Sequence, residues 1–417
     1  MLSNFNTKIH NVIFVFILLL PNMIVLNLPQ FNLKVAGISM GAFFIYISSI
    51  LLFFTKIQEI IRKTLIINRA LLCLVAILLL LMLKQLQSSQ PFERFLLQLA
   101  PFLLMPLFFV LGQVFIKREK DRKQLVKVLL INTLIGSLIG LVHFYFFSDF
   151  QLYDSTANED EFFSVVDYET MQVRETSTYS SPVSFSHNMA FGIVFLLMEL
   201  KHRQFKWAAP VVLIMTAIAI FGVYVSYSRA ALLFICILTL YCFIGKGKGL
   251  PKYVQYLFLF FSTVAIAVYS IAGVAGRLSL SAENITGEIR WLKWYIALRE
   301  IFASLSNFLF GVDIGSEVTM DGVSFSDNYY ILHQLRFGLL GMVILFFAIR
   351  YIYKKIKILL DSNLSNYDIY YVKSVYFIGC AALFFACFSN ILLMVPTNIY
   401  LPILMGSLWN IKRVAAR

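Results

Sequence analysis

Several polar groups set among apolar runs have the residue types that chemistry on an anionic substrate requires. One is Arg229, in Tyr227-Ser228-Arg229-Ala230-Ala231-Leu232. A guanidinium is planar, permanently charged, and holds phosphate oxygens in a bidentate fork. An arginine at a membrane boundary can equally snorkel its head group toward water, and both readings stand. Another is Arg290, in Gly287-Glu288-Ile289-Arg290-Trp291-Leu292-Lys293-Trp294. It reads as a second arm of the same clamp or as part of a solvated basic face beside phospholipid head groups. Arg174, upstream of Ser180-Ser181-Pro182, is either an anion contact or the ion-pair partner of Asp167, Glu169 or Glu175. The last group is Ser326-Asp327-Asn328-Tyr329, followed by Gly338 and Gly341. Asp327 can accept a proton from a substrate hydroxyl or cap the helix that follows it. The two glycines would let a neighbouring helix approach closely.

His187 with Asn188 opens another apolar run; a lone histidine is more often a packing group than a catalyst. Arg336 follows His333 by three residues inside an apolar stretch, where an ionisable group is a functional candidate by default. The chain has no nucleotide loop, zinc spacing or nucleophile elbow. Cys73, Cys236, Cys242, Cys380 and Cys387 all lie in apolar stretches, which suggests neither a disulfide framework nor a cysteine metal site.

The elements that position these groups follow from composition. The chain is 60% hydrophobic and 14% charged, with mean hydropathy +0.80; a soluble domain carries roughly 25% charged residues. Its apolar runs approach the ~20 residues that cross a ~30 Å hydrocarbon layer. The expected fold is therefore an all-α polytopic membrane protein, a single integral membrane domain over residues 1–417 with about twelve transmembrane helices. The first six spans are expected near Ile9–Leu28, Val35–Phe54, Leu65–Leu83, Phe95–Ile116, Val128–Phe147 and Val183–Leu200. The others fall near Trp207–Val225, Ala230–Ile244, Val254–Ala272, Tyr329–Ile349, Val372–Asn390 and Ile391–Ile411. Lys8 precedes a long apolar run without an A-x-A site, so the first span reads as uncleaved.

The net charge of +13 would suggest nucleic acid in a soluble protein. Here most bases lie in short loops at Lys56–Lys63, Lys117–Lys127, Lys201–Lys206, Lys246–Lys252 and Arg350–Lys357. They alternate correctly if both termini are cytoplasmic. The charge is thus a topology signal, with membrane lipids and no nucleic acid as partners. Two longer loops, about 148–182 and 273–326, then face outward. The first is acidic. The second contains a segment of helical periodicity, Thr286–Leu305, whose Trp291 and Trp294 suit a helix lying at the membrane interface.

Taken together, Ser228-Arg229-Ala230, Arg290 with Trp294 and Ala297-Leu298, Phe310-Gly311-Val312 with Gly315, and Asp327-Asn328 with Gly338 and Gly341 resemble the O-antigen polymerase and ligase superfamily of bacterial membrane proteins. The resemblance covers roughly Arg174 to Met342. It implies a GT-C-like glycosyltransferase of the bacterial inner membrane, acting on glycans carried by undecaprenyl pyrophosphate at the periplasmic face. It implies no cofactor and no metal, because arginines neutralise the pyrophosphate leaving group. Arg229, Arg290 and Asp327 would be the catalytic set. Arg174, Asn328, Arg336, His187 and Tyr329 would contact substrate. A chain-length regulator and a flippase of the same pathway would be partners.

The ligases have a histidine followed by Asn, Ser or Gln, then nine residues and a glycine. In that register this chain has Asp327, Asn328 and Gly338. The aspartate fits a polymerase of O-antigen or capsule repeat units better than a ligase that transfers the glycan to lipid A core. A lipid-linked oligosaccharide flippase is the alternative from another class. Flippases usually show related halves and a charged midplane cavity, whereas the polar groups here gather at one face.

Overall fold

The computed structural model describes residues 34–35, 38–39, 51, 54, 92–146, 166–167, 172–173, 182–205, 207–226, 228–244, 285–312, 328–387, 389, 392 and 397–411. The expected spans Ile9–Leu28, Leu65–Leu83 and Val254–Ala272 lie outside them. So does most of Val35–Phe54, whose opening residues form a two-residue antiparallel pairing, Lys34–Val35 with Ile38–Ser39. A second such pairing, Val166–Asp167 with Gln172–Val173, falls in the acidic loop.

The remaining elements are helical: α1 (Phe92–Phe115), α2 (Glu119–Phe146), α3 (Pro182–His202), α4 (Ala209–Val225), α5 (Arg229–Ile244), α6 (Ile285–Phe302), α7 (Leu305–Phe310), α8 (Tyr329–Leu360), α9 (Asn366–Phe385) and α10 (Thr397–Ser407). Among the described residues, four helices are long and apolar enough to cross a membrane: Glu119–Phe146, Val183–His202, Tyr329–Leu360 and Asn366–Phe385.

The apolar runs locate these helices, but several ends differ from expectation. α2 begins at Glu119 instead of Val128, so the basic stretch Lys117–Lys127 is largely helix. Asp121 Oδ2 accepts the Lys117 and Arg118 N–H groups, at 3.1 and 2.8 Å, and so stabilises the start. Glu119 pairs with Lys123 one turn on. α8 likewise runs through Arg350–Lys357 to Leu360; its 32 residues amount to about 48 Å. α9 starts at Asn366, where Ser365 Oγ accepts the Asp368 N–H at 3.1 Å, and ends at Phe385. The final stretch is two helices, as expected, but α10 has only 11 residues before a 3-10 turn at Leu408–Asn410. α6 lies within a residue or so of the expected Thr286–Leu305 start.

α3 is the buried centre of the bundle: Ser184 through Leu200 are all buried, with α2, α4, α5 and α9 packed around it. α10 packs along α1. That crossing is reciprocal and tight. A Cβ at Gly112 would fall on the Ile403 backbone, and one at Gly406 on the Phe109 carbonyl. At the end where α1 stops, Asn410 Nδ2 donates to the Gln113 and Ile116 carbonyls, at 2.6 and 2.8 Å. At the same end Arg122 of α2 forms a buried ion pair with Asp368 of α9, and the guanidinium lies 6.0 Å from the Tyr371 ring centroid.

Candidate functional site

At the opposite end of the bundle, helix ends carrying the candidate residues converge on Phe385. The His187 ring, on the second turn of α3, stacks on it with centroids 3.9 Å apart. Phe234 of α5 meets it edge-on at 5.5 Å. The next residue, Ala386, accepts the Tyr329 N–H at 3.0 Å, which ties the start of α8 to the end of α9. The Tyr330 hydroxyl donates to the Leu383 carbonyl at 3.0 Å and reinforces that tie.

Asn328 is the N-cap of α8. Its Oδ1 accepts the Tyr330 and Ile331 N–H groups at 3.0 and 3.2 Å. Its Nδ2 donates to the Cys387 carbonyl at 2.9 Å. Both ends of this amide hold α8 in place, so the capping role weighed for Asp327 belongs to its neighbour. Asn328→Ala is expected to cost about 1–2 kcal/mol of stability. Asn328→Asp should retain most of the cap and cost less. Thermal unfolding of the two purified variants measures the difference.

Tyr329 is buried beside Phe102 of α1 and His333, with centroids at 6.3 and 5.5 Å. His333 is also buried, and its Nε2 donates to the Gly341 carbonyl at 3.0 Å. His187 and Tyr329 are therefore packed inside the bundle, while Arg336 is half-buried.

Arg229 opens α5, five residues before Phe234, directly after the buried turn residues Ser226 and Ser228. Arg290 lies in the first turns of α6. α6 and α7 both pack against α8, where α8 is broken at Gly338 (φ 61°, ψ −163°). Gly311 follows α7 with φ 88° and ψ 168°. A Cβ on Gly338 would land on Leu309 and Gly311 backbone atoms, and one on Gly311 would land on the Arg336 carbonyl. The break leaves the Leu335 carbonyl to accept the Val312 N–H at 2.8 Å. Phe310-Gly311-Val312 and Gly338, far apart in the chain, thus interlock backbone to backbone.

Asp327 and Arg174 lie outside the described residues. Phe385 was not singled out from the sequence, because an apolar residue in an apolar run carries no distinguishing signal. No family model matches the chain, and no curated protein matches it.

Proposed function

We propose that the chain polymerises oligosaccharide repeat units carried on undecaprenyl pyrophosphate, for O-antigen or capsular polysaccharide. The observation that supports this reading is the meeting of the α3, α5, α8 and α9 ends at Phe385. It brings the backbones of His187, Arg229 and Asn328 to one end of the bundle, and α6, which carries Arg290, packs against α8. That end would face outward across the inner membrane. The Arg122–Asp368 end, with its neighbouring lysines and arginines, and both termini would then be cytoplasmic.

In this reaction a hydroxyl of the incoming lipid-linked unit attacks the anomeric carbon of the growing chain. The new glycosidic C–O bond forms as the bond to pyrophosphate breaks. The hydroxyl proton passes to Asp327, and the electron pair leaves with the pyrophosphate. Arg229 and Arg290 would neutralise that leaving group, an electrostatic effect that can lower a barrier by several kcal/mol. The start of α5 adds the partial positive charge of a helix N-terminus beside Arg229. The chain-length regulator and the flippase of such a pathway would be its partners.

The test is the surface polysaccharide ladder of a strain carrying only a variant copy. Arg229→Ala and Asp327→Asn should each collapse the ladder to material capped with a single repeat unit. A normal ladder from Arg229→Ala, with the protein present in the membrane, would sink the clamp. Accumulation of finished lipid-linked polymer in a deletion strain would favour ligation instead.

A further inference from the structure

We propose that one water molecule is held in the middle of the bundle, in a cavity between α2, α3 and α10, bound to Asn188 Oδ1. The cavity has a volume of ≈ 10 Å³, and its wall includes Asn132, Thr133, Asn188, Phe191, Gly192 and Tyr400. Every one of these residues is buried. A space of roughly this size is what a single water needs, with two to four polar groups to bind it.

Asn188 supplies the strongest reason. Its Nδ2 donates to the Ser184 carbonyl at 2.7 Å and reaches Thr397 Oγ1 at 3.4 Å. Its Oδ1 has no hydrogen-bond partner among the described residues, although the residue is only 5% exposed. A buried carbonyl oxygen left unbonded keeps the full cost of its lost hydration, and a water donating to it removes that cost. The wall also offers the Thr133 hydroxyl, which donates to the Leu129 carbonyl and keeps its lone pairs for an incoming donor. Asn132 and Tyr400, bonded to each other at 2.9 Å, complete the polar side. Gly192 makes the space: a Cβ there would fall on Thr133 Oγ1. Among the described residues the wall has no carboxylate, so a metal cation would meet dipoles with no compensating charge. A neutral ligand fits better.

The site lies where α2, α3 and α10 meet. Its existence does not depend on the proposed polymerase reaction. Hydroxyl-radical footprinting by synchrotron radiolysis tests it on the full-length protein in detergent micelles. Radiolysis of a bound water oxidises the side chains beside it, including those that bulk radicals cannot reach. Phe191 and Tyr400 should be oxidised several-fold faster than Phe109 and Tyr367, which are buried to the same degree. Asn188→Leu and, separately, Thr133→Val should bring Phe191 down to the Phe109 rate. Equal rates in the unsubstituted protein would overturn the proposal. So would undiminished Phe191 oxidation in either variant that retains its helical circular dichroism.

Discussion

Gly338→Ala is expected to lower the thermal unfolding midpoint of the purified protein by about 3–6 °C, and Gly311→Ala to act similarly. Both glycines occupy a backbone region essentially closed to L side chains, at φ 61°, ψ −163° and φ 88°, ψ 168°, which alone costs about 1–3 kcal/mol for another residue. Steric overlap adds to that. The atoms a Cβ would meet are backbone carbonyls and an amide nitrogen of the facing segment, which cannot swing aside as a side-chain tip can. Displacing them also separates Val312 N–H from the Leu335 carbonyl and leaves both groups short of a partner. The sum is about 3 kcal/mol or more. Gly379→Ala is the control. Its Cβ would meet only the terminal methyl of Met405, so a shift of no more than about 1 °C is expected. Midpoints taken at one heating rate, by the fluorescence of a thiol-reactive dye, make the comparison. If Gly338→Ala and Gly379→Ala shift the midpoint equally, the interlock contributes nothing special.

The buried pair at the other end gives the second large effect. Arg122→Met should destabilise the protein by about 3–5 kcal/mol, because it leaves Asp368 as an uncompensated charge in a dry site. Arg122 and the Asp368 side chain are only 4% and 10% exposed, so solvent screens little of this. Asp368→Leu strands the guanidinium in the same way. The double variant Arg122→Met with Asp368→Leu should recover most of the loss, since well-packed apolar groups often replace a buried pair at little net cost. A double-mutant cycle of denaturant midpoints reads the coupling directly. Strictly additive losses would show that the two side chains do not act as a pair. Because the pair lies away from the Phe385 end, variants that fold should retain the proposed polymer synthesis.

Much of the helical layout is legible in the sequence, since apolar runs mark where lipid or the bundle interior must be met. The ends are less legible, for reasons visible in particular residues. Charge suggested that Lys117–Lys127 is a loop. Yet Arg122, Leu125 and Val126 form a buried stripe on a helix, and Arg122 finds its partner 246 residues away. Nothing local announces such a pairing. The α9 start was legible in hindsight: Ser365 followed three residues later by Asp368 is a helix-start pattern. At the candidate site, the sequence marked Gly311, Asn328 and Gly338 as motif residues. Their backbone geometry did not show, because Gly338 reads the same whether a helix merely passes it or breaks at it. Asn328 drew attention as a possible substrate contact, and its amide turned out to be engaged in joining α8 to α9.

The tight α1–α10 crossing bears on how the protein is made. About 300 residues separate Phe109 from Gly406. At about 5–20 residues per second of synthesis, α1 waits roughly 15–60 s for the helix that covers its Gly112 face. For that interval the ribosome is still feeding out the intervening helices, and the close-fitting groove is open to whichever apolar segment arrives first. Gly112 and Gly406 help here by exclusion as well as by fit, since few other segments can bring a backbone so near. Fidelity at this crossing is therefore a matter of timing, settled only when α10 emerges.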